Sequence, residues 1–125
     1  AVPVAAALFH KLPIEGKKVV CLISGGNIDV NILNRVITRG LVMSGRKANL
    51  TIALEDKPGQ LQRVAEIVSR CGSNVVSVLH DGSDPNMPIS SCFLKLTLET
   101  RDNAQIEQIR QELTKAGFQL VAERV

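Results

Sequence analysis

Cys92, Leu94, Leu96 and Leu98 alternate with Phe93, Lys95, Thr97 and Glu99 over eight consecutive positions. A period of two marks a β-strand with one face on a core and the other on solvent. Such a strand commits the chain to a sheet that must be covered on one side. Two other segments supply the cover. Leu61, Val64, Ala65, Val68 and Cys71 recur in steps of three and four, as do Ile106, Ile109, Leu113 and Ala116. Each set is one stripe of a helix. Gly72 and Gly117 stop these helices. Asp102 caps the start of the second, with Gln105 three residues on in capping-box position. Further strands are expected at 49–55, with Leu50, Ile52 and Leu54 on one face, and at 74–80. A turn-rich connection follows over 81–88, and Phe118, Leu120 and Ala122 alternate in a last strand. The order over residues 46–125 is β-α-β-β-α-β, so the expected fold is an α+β, ferredoxin-like two-layer sandwich.

Residues 1–45 read as helix, strand, glycine loop, helix. Lys17 to Ile23 is a β-branched apolar run of the kind covered on both faces. It ends at Ser24-Gly25-Gly26-Asn27. A helix follows, with Asp29 placed to cap it and Ile32, Leu33, Val36, Ile37 and Leu41 on one face. Gly45 and Arg46 end it. A single strand of this type needs neighbours to satisfy its backbone groups. Residues 1–45 are therefore expected to be the terminal α/β unit of a larger sheet, and 46–125 a domain of their own.

Composition removes several function classes. Apolar residues make up 45% and charged residues 22%, ordinary for a soluble globular protein. No apolar run approaches the roughly 18 residues of a membrane span. The net charge is only +3, with both signs mixed and neither Trp nor Tyr present, which speaks against a nucleic-acid partner. Cys21, Cys71 and Cys92 form no CxxC pair, as expected of buried free thiols in a reducing cytoplasm. No metal site is expected, because no two candidate ligands have finger-like spacing.

A ferredoxin-like sandwich hosts RNA binders, metal carriers and small-molecule sensors. The third strand offers one aromatic residue, Phe93, and no RNP-type run, and the first loop has no CxxC. A sensor remains. Asp56-Lys57-Pro58-Gly59-Gln60-Leu61 opens a helix whose first amides can face a carboxylate. Gly59 permits close approach, Asp56 can accept from an ammonium, and Asn74 offers donor and acceptor. The plain alternative is that Asp56 is only a helix cap and Gly59 only a turn residue. On Asp56–Leu61 and on Gly72-Ser73-Asn74-Val75, residues 46–125 resemble the ACT domain, a regulatory module for free amino acids. The resemblance implies an effector site of Leu54, Asp56, Lys57, Gly59, Leu61 and Asn74, and pairing into a homo-oligomer. Some serine-binding members carry a His where this chain has Leu54, so an aliphatic effector, isoleucine or valine, is implied here.

Lys18-Val19-Val20-Cys21-Leu22-Ile23-Ser24-Gly25-Gly26-Asn27 resembles the last strand and glycine loop of fold-type II pyridoxal-phosphate (PLP) enzymes. Joined to an ACT domain, it makes the whole chain similar to the shorter threonine dehydratases. That resemblance implies a parent enzyme that deaminates L-threonine to 2-oxobutanoate and ammonia, and L-serine to pyruvate. It gives Ser24 to the pyridine nitrogen of the cofactor, flanked by Gly25, Gly26 and Asn27, and places the Schiff-base lysine upstream. No catalytic residue and no bound cofactor are then expected in this chain alone. A stand-alone amino-acid sensor and a ligand-free dimerisation module are the other readings.

Overall fold

The computed structural model describes residues 1–82, 88 and 90–121. It contains two compact units, Ala1–Leu33 and Asn34–Val125. The elements are α1 (Val2–Leu8), α2 (Val30–Met43), β1 (Lys47–Glu55), α3 (Gln60–Arg70), β2 (Asn74–Asp81), β3 (Ser91–Glu99), α4 (Asn103–Lys115) and β4 (Gln119–Val121). The expected βαββαβ order is realised. Its sheet runs β2-β3-β1-β4, with every neighbouring pair antiparallel. Ala122 and most of the 81–88 connection lie outside the described residues.

The alternation in β3 has the consequence read from it. Cys92, Leu94, Leu96 and Leu98 are buried together with Ala48, Leu50, Ile52 and Leu54 of β1. The register explains why: Leu50 faces Leu96, Ile52 faces Leu94, and Leu54 faces Cys92. Val64, Ile67 and Val68 of α3 and Ile109 and Leu113 of α4 close over this face. Ile67 takes the place expected for Ala65, which is exposed. A step of one residue turns the helix by about 100°, enough to carry position 65 off the stripe. Leu61, in the first turn, is exposed as well.

Three glycines end three helices in the same way. Arg46 N–H bonds Leu41 O at 2.8 Å, Ser73 N–H bonds Val68 O at 3.3 Å, and Phe118 N–H bonds Leu113 O at 3.0 Å. These six-to-one bonds define Schellman ends, and they require a left-handed residue before the donor. Gly45, Gly72 and Gly117 fill that place with φ of +69°, +75° and +90°.

Both expected caps form. Asp29 Oδ1 accepts from Asn31 N–H at 2.7 Å, and Asp102 Oδ1 accepts from Gln105 N–H at 2.8 Å. The Gln105 side chain does more than return a bond to its own helix. Its Oε1 accepts from Arg101 N–H at 2.7 Å, and its Nε2 donates to Cys71 O at 2.7 Å. The buried amide thus ties the start of α4 to the end of α3. Gln105→Ala leaves the Cys71 carbonyl and the Arg101 amide without these partners. It should cost about 1–3 kcal/mol, read as a lower urea midpoint at unchanged slope.

One expected element is corrected. Lys17 to Ile23 is not a strand; among the described residues nothing forms a ladder with it, and Val20 is 96% exposed. A strand has no hydrogen bonds of its own, so an apolar β-branched run without a neighbour stays irregular. The helix after it, α2, does form, because its bonds are internal. Its stripe of Ile32, Leu33, Val36, Ile37 and Leu41 is nevertheless exposed. β2 forms as expected; as the outermost strand it leaves Val75, Val76, Val78 and Leu79 exposed, and a register shift falls between Val75 and Ser77.

Candidate functional site

β1 delivers the chain to the first strand–helix junction. Asp56 N–H bonds Ser90 O at 2.8 Å, which holds the chain beside the start of β3 as it leaves the sheet. Lys57 pairs with Glu55. That bond and the lysine's charge hold the Glu55 carboxyl below the usual carboxylate range. Gly59 is the N-cap of α3, with φ +89° and no side chain capping the helix. Asp56 is therefore not the cap of α3. Among the described residues a Cβ added at Gly59 would meet nothing within 4 Å. An uncapped helix start has amides available and a partial positive charge.

Three residues that the sequence did not place in the effector site stand around this junction. Gln60, the first residue of α3, has a buried Oε1 with no hydrogen-bond partner among the described residues. A buried acceptor left unpaired costs free energy until a donor reaches it. His80 on β2 places Nε2 at 3.7 Å from Asp56 Oδ1. Cys92 on β3 lies beneath, and the ligand atoms of Asp56, His80 and Cys92 all lie within 4.8 Å of one another. Burial first, and the Asp56 carboxylate second, push the Cys92 thiol above its ordinary pKa. The register brings His80 and Cys92 together, and Asp56 follows one residue past the end of β1. β3 lies between β1 and β2, with Cys92 beside Leu54 and His80 beside Leu94, all on the helix-covered face. No spacing rule along the chain could have shown this.

Of the six effector-site residues expected from sequence, five gather. Leu54 is buried at the end of β1, Asp56, Lys57 and Gly59 form the turn, and Leu61 is exposed on the first turn of α3. Asn74 does not join them. It opens β2 opposite Glu99, while Leu54 lies opposite Cys92. Seven residues of β3 separate those two positions, about 23 Å at strand rise. Ser73, beside Asn74, anchors the strand entry by donating to Glu99 O at 2.6 Å. Ser24, Gly25, Gly26 and Asn27 form an exposed irregular segment before α2, with Gly25 at φ +149°.

No family model matches the chain. Curated relatives do. L-threonine ammonia-lyase of Thermotoga maritima is 45% identical over 115 residues, 92% of this chain and 29% of that protein. L-threonine ammonia-lyase of Geobacter sulfurreducens is 36% identical over 118 residues, 94% of this chain and 29% of that protein. The biosynthetic L-threonine dehydratase of Lactococcus lactis is 40% identical over 62 residues, 50% of this chain and 15% of that protein. The chain is thus similar along nearly its whole length to L-threonine ammonia-lyases, and it spans less than a third of the length of the Thermotoga and Geobacter proteins.

Proposed function

We propose that this chain, a relative of the L-threonine ammonia-lyases, is the regulatory C-terminal part of a threonine dehydratase. The observation that carries the reading is the 45% identity to the Thermotoga enzyme across 92% of the chain. In this reading residues 46–125 are an ACT domain that binds a small aliphatic amino acid, and 1–45 close a PLP-dependent catalytic domain. The exposed run around Val20 and the exposed stripe of α2 are surfaces of the kind that a larger sheet covers. The parent would release ammonia and a 2-oxo acid from L-threonine, and from L-serine, in the cytoplasm.

PLP, when bound, supplies the electron sink for that elimination. The residues present fit one edge of it. Ser24 has the hydroxyl for the ring nitrogen, and Gly25 and Gly26 have nothing within 4 Å of an added Cβ among the described residues. Asn27 completes the segment. No step of the reaction is assigned to this chain.

For the effector, the amides opening α3 take the carboxylate, with Gly59 in closest approach. Asp56 and Gln60 Oε1, unpaired among the described residues, take the ammonium. Leu54 and Leu61 flank the aliphatic side chain, and Lys57 stands at the rim. Asn74 comes from a second copy. β2 is an outer strand with exposed Val75, Val76, Val78 and Leu79, a row suited to pairing. Two copies joined antiparallel through β2 about a two-fold axis place the Asn74 end of one against the His80 end of the other. Isoleucine and valine are the ligands to titrate. Asn74→Ala should weaken them roughly ten- to a hundredfold, the loss of one hydrogen bond to a charged group. The exposed position of Asn74 predicts an unchanged melting temperature of the unliganded protein. If calorimetry on the wild type finds no amino acid bound at millimolar concentration, the ligand-free dimerisation reading replaces this one.

A further inference from the structure

Asp56, His80 and Cys92 bring one oxygen, one nitrogen and one sulfur to within 4.8 Å of each other. A buried thiol alone is ordinary, and so is an exposed Asp near an exposed His. What sets Cys92 apart from the other two cysteines is the carboxylate and imidazole standing over it. Each group comes from the same end of a different strand: Asp56 just past β1, His80 near the end of β2, Cys92 near the start of β3. The sheet register fixes His80 against Cys92, and Asp56 is held one residue past β1 by its N–H bond to Ser90 O.

The geometry is close to that of a coordination site. Ligand bonds of about 2.0–2.3 Å at tetrahedral angles put ligand atoms roughly 3.3–3.8 Å apart. Cys92, 1% exposed, forms a fixed floor. The side chains of His80 and Asp56 are 54% and 61% exposed, so both can turn inward by the small distance required. The donor set also selects among cations. Thiolate and imidazole disfavour magnesium and calcium, which take oxygen ligands, and suit borderline ions such as zinc. Three protein ligands with a solvent-facing side leave a fourth position open. We propose that Asp56, His80 and Cys92 bind a divalent cation of the zinc class. The Cys92 proton passes to solvent on binding, and water fills the outward position.

The test uses the full chain, stripped of metal and titrated with zinc against a chromophoric chelator, then with cobalt(II) read by absorbance. The expected result is one zinc per chain, and a thiolate-to-cobalt charge-transfer band that Cys92→Ala abolishes. His80→Ala should weaken zinc by at least about a hundredfold, since loss of an outer-shell partner alone costs about ten- to a hundredfold. His10→Ala should leave zinc binding intact. If Cys92→Ala fails to fold, the exposed His80→Ala variant still decides. Equal zinc affinity in wild type and His80→Ala, or a cobalt spectrum without the thiolate band, overturns the proposal. Isoleucine binding measured on the same protein with chelator present tests the effector site separately, whatever zinc does.

Discussion

Gly45→Ala is expected to destabilise the sandwich far more than Gly117→Ala, although both glycines end a helix in the same motif. Both hold left-handed backbone, φ +69° and +90°. A Cβ in that conformation costs about 1–2 kcal/mol. For Gly117 the account ends there, since among the described residues an added Cβ meets nothing within 4 Å. At Gly45 the Cβ would stand 2.5 Å from Asn103 N and 2.5 Å from Asn103 Oδ1. The amide nitrogen belongs to the first residue of α4 and cannot swing away. Nor can Gly45 retreat. Its carbonyl accepts from the buried Thr100 hydroxyl at 2.7 Å, and Arg46 O accepts from Thr100 N–H at 3.1 Å. Overpacking of that kind adds about 1–3 kcal/mol, for a total of about 2–5 kcal/mol. Urea midpoints of the two variants measure the difference. Equal midpoints would mean that the approach of Gly45 to α4 contributes nothing.

Most of the fold was legible because the sandwich states it locally. The period of two from Cys92 to Leu98 needs only the strand itself, and Gly45, Gly72 and Gly117 mark helix ends through their own φ. What escaped depends on partners far along the chain. Gln105 reads as a capping-box residue, and its second bond to Cys71 appears only when α3 and α4 pack. His80 and Cys92 are twelve residues apart in sequence and meet because β2 pairs antiparallel with β3. The run at Lys17 to Ile23 shows the converse failure. Its composition is that of a strand, but composition cannot supply the neighbour a strand needs. Asn74 is the most instructive case for function. Its type suits the site, and only the register of β2 on β3 shows that it stands at the far end of the sheet from Asp56.

That separation makes a complementation experiment decisive. Asp56→Ala and Asn74→Ala should each weaken isoleucine or valine roughly ten- to a hundredfold, because each removes a partner of a charged or polar group on the ligand. In a dimer joined through β2, each site takes Asp56 from one copy and Asn74 from the other. Co-expressing the two variants with different tags, and purifying on both, yields dimers with one copy of each. One site then contains both substitutions and the other contains neither, so about half of the sites should regain wild-type affinity. A site built within one copy allows no such rescue, because every chain then carries a lesion. Leu79→Lys supplies the complementary measurement. Leu79 is 57% exposed on the outer strand. A charge there opposes edge pairing, so sedimentation should shift toward monomer and amino-acid binding should fall with it. Mixed dimers that bind no better than either parent variant would place the whole effector site in one copy and remove Asn74 from it.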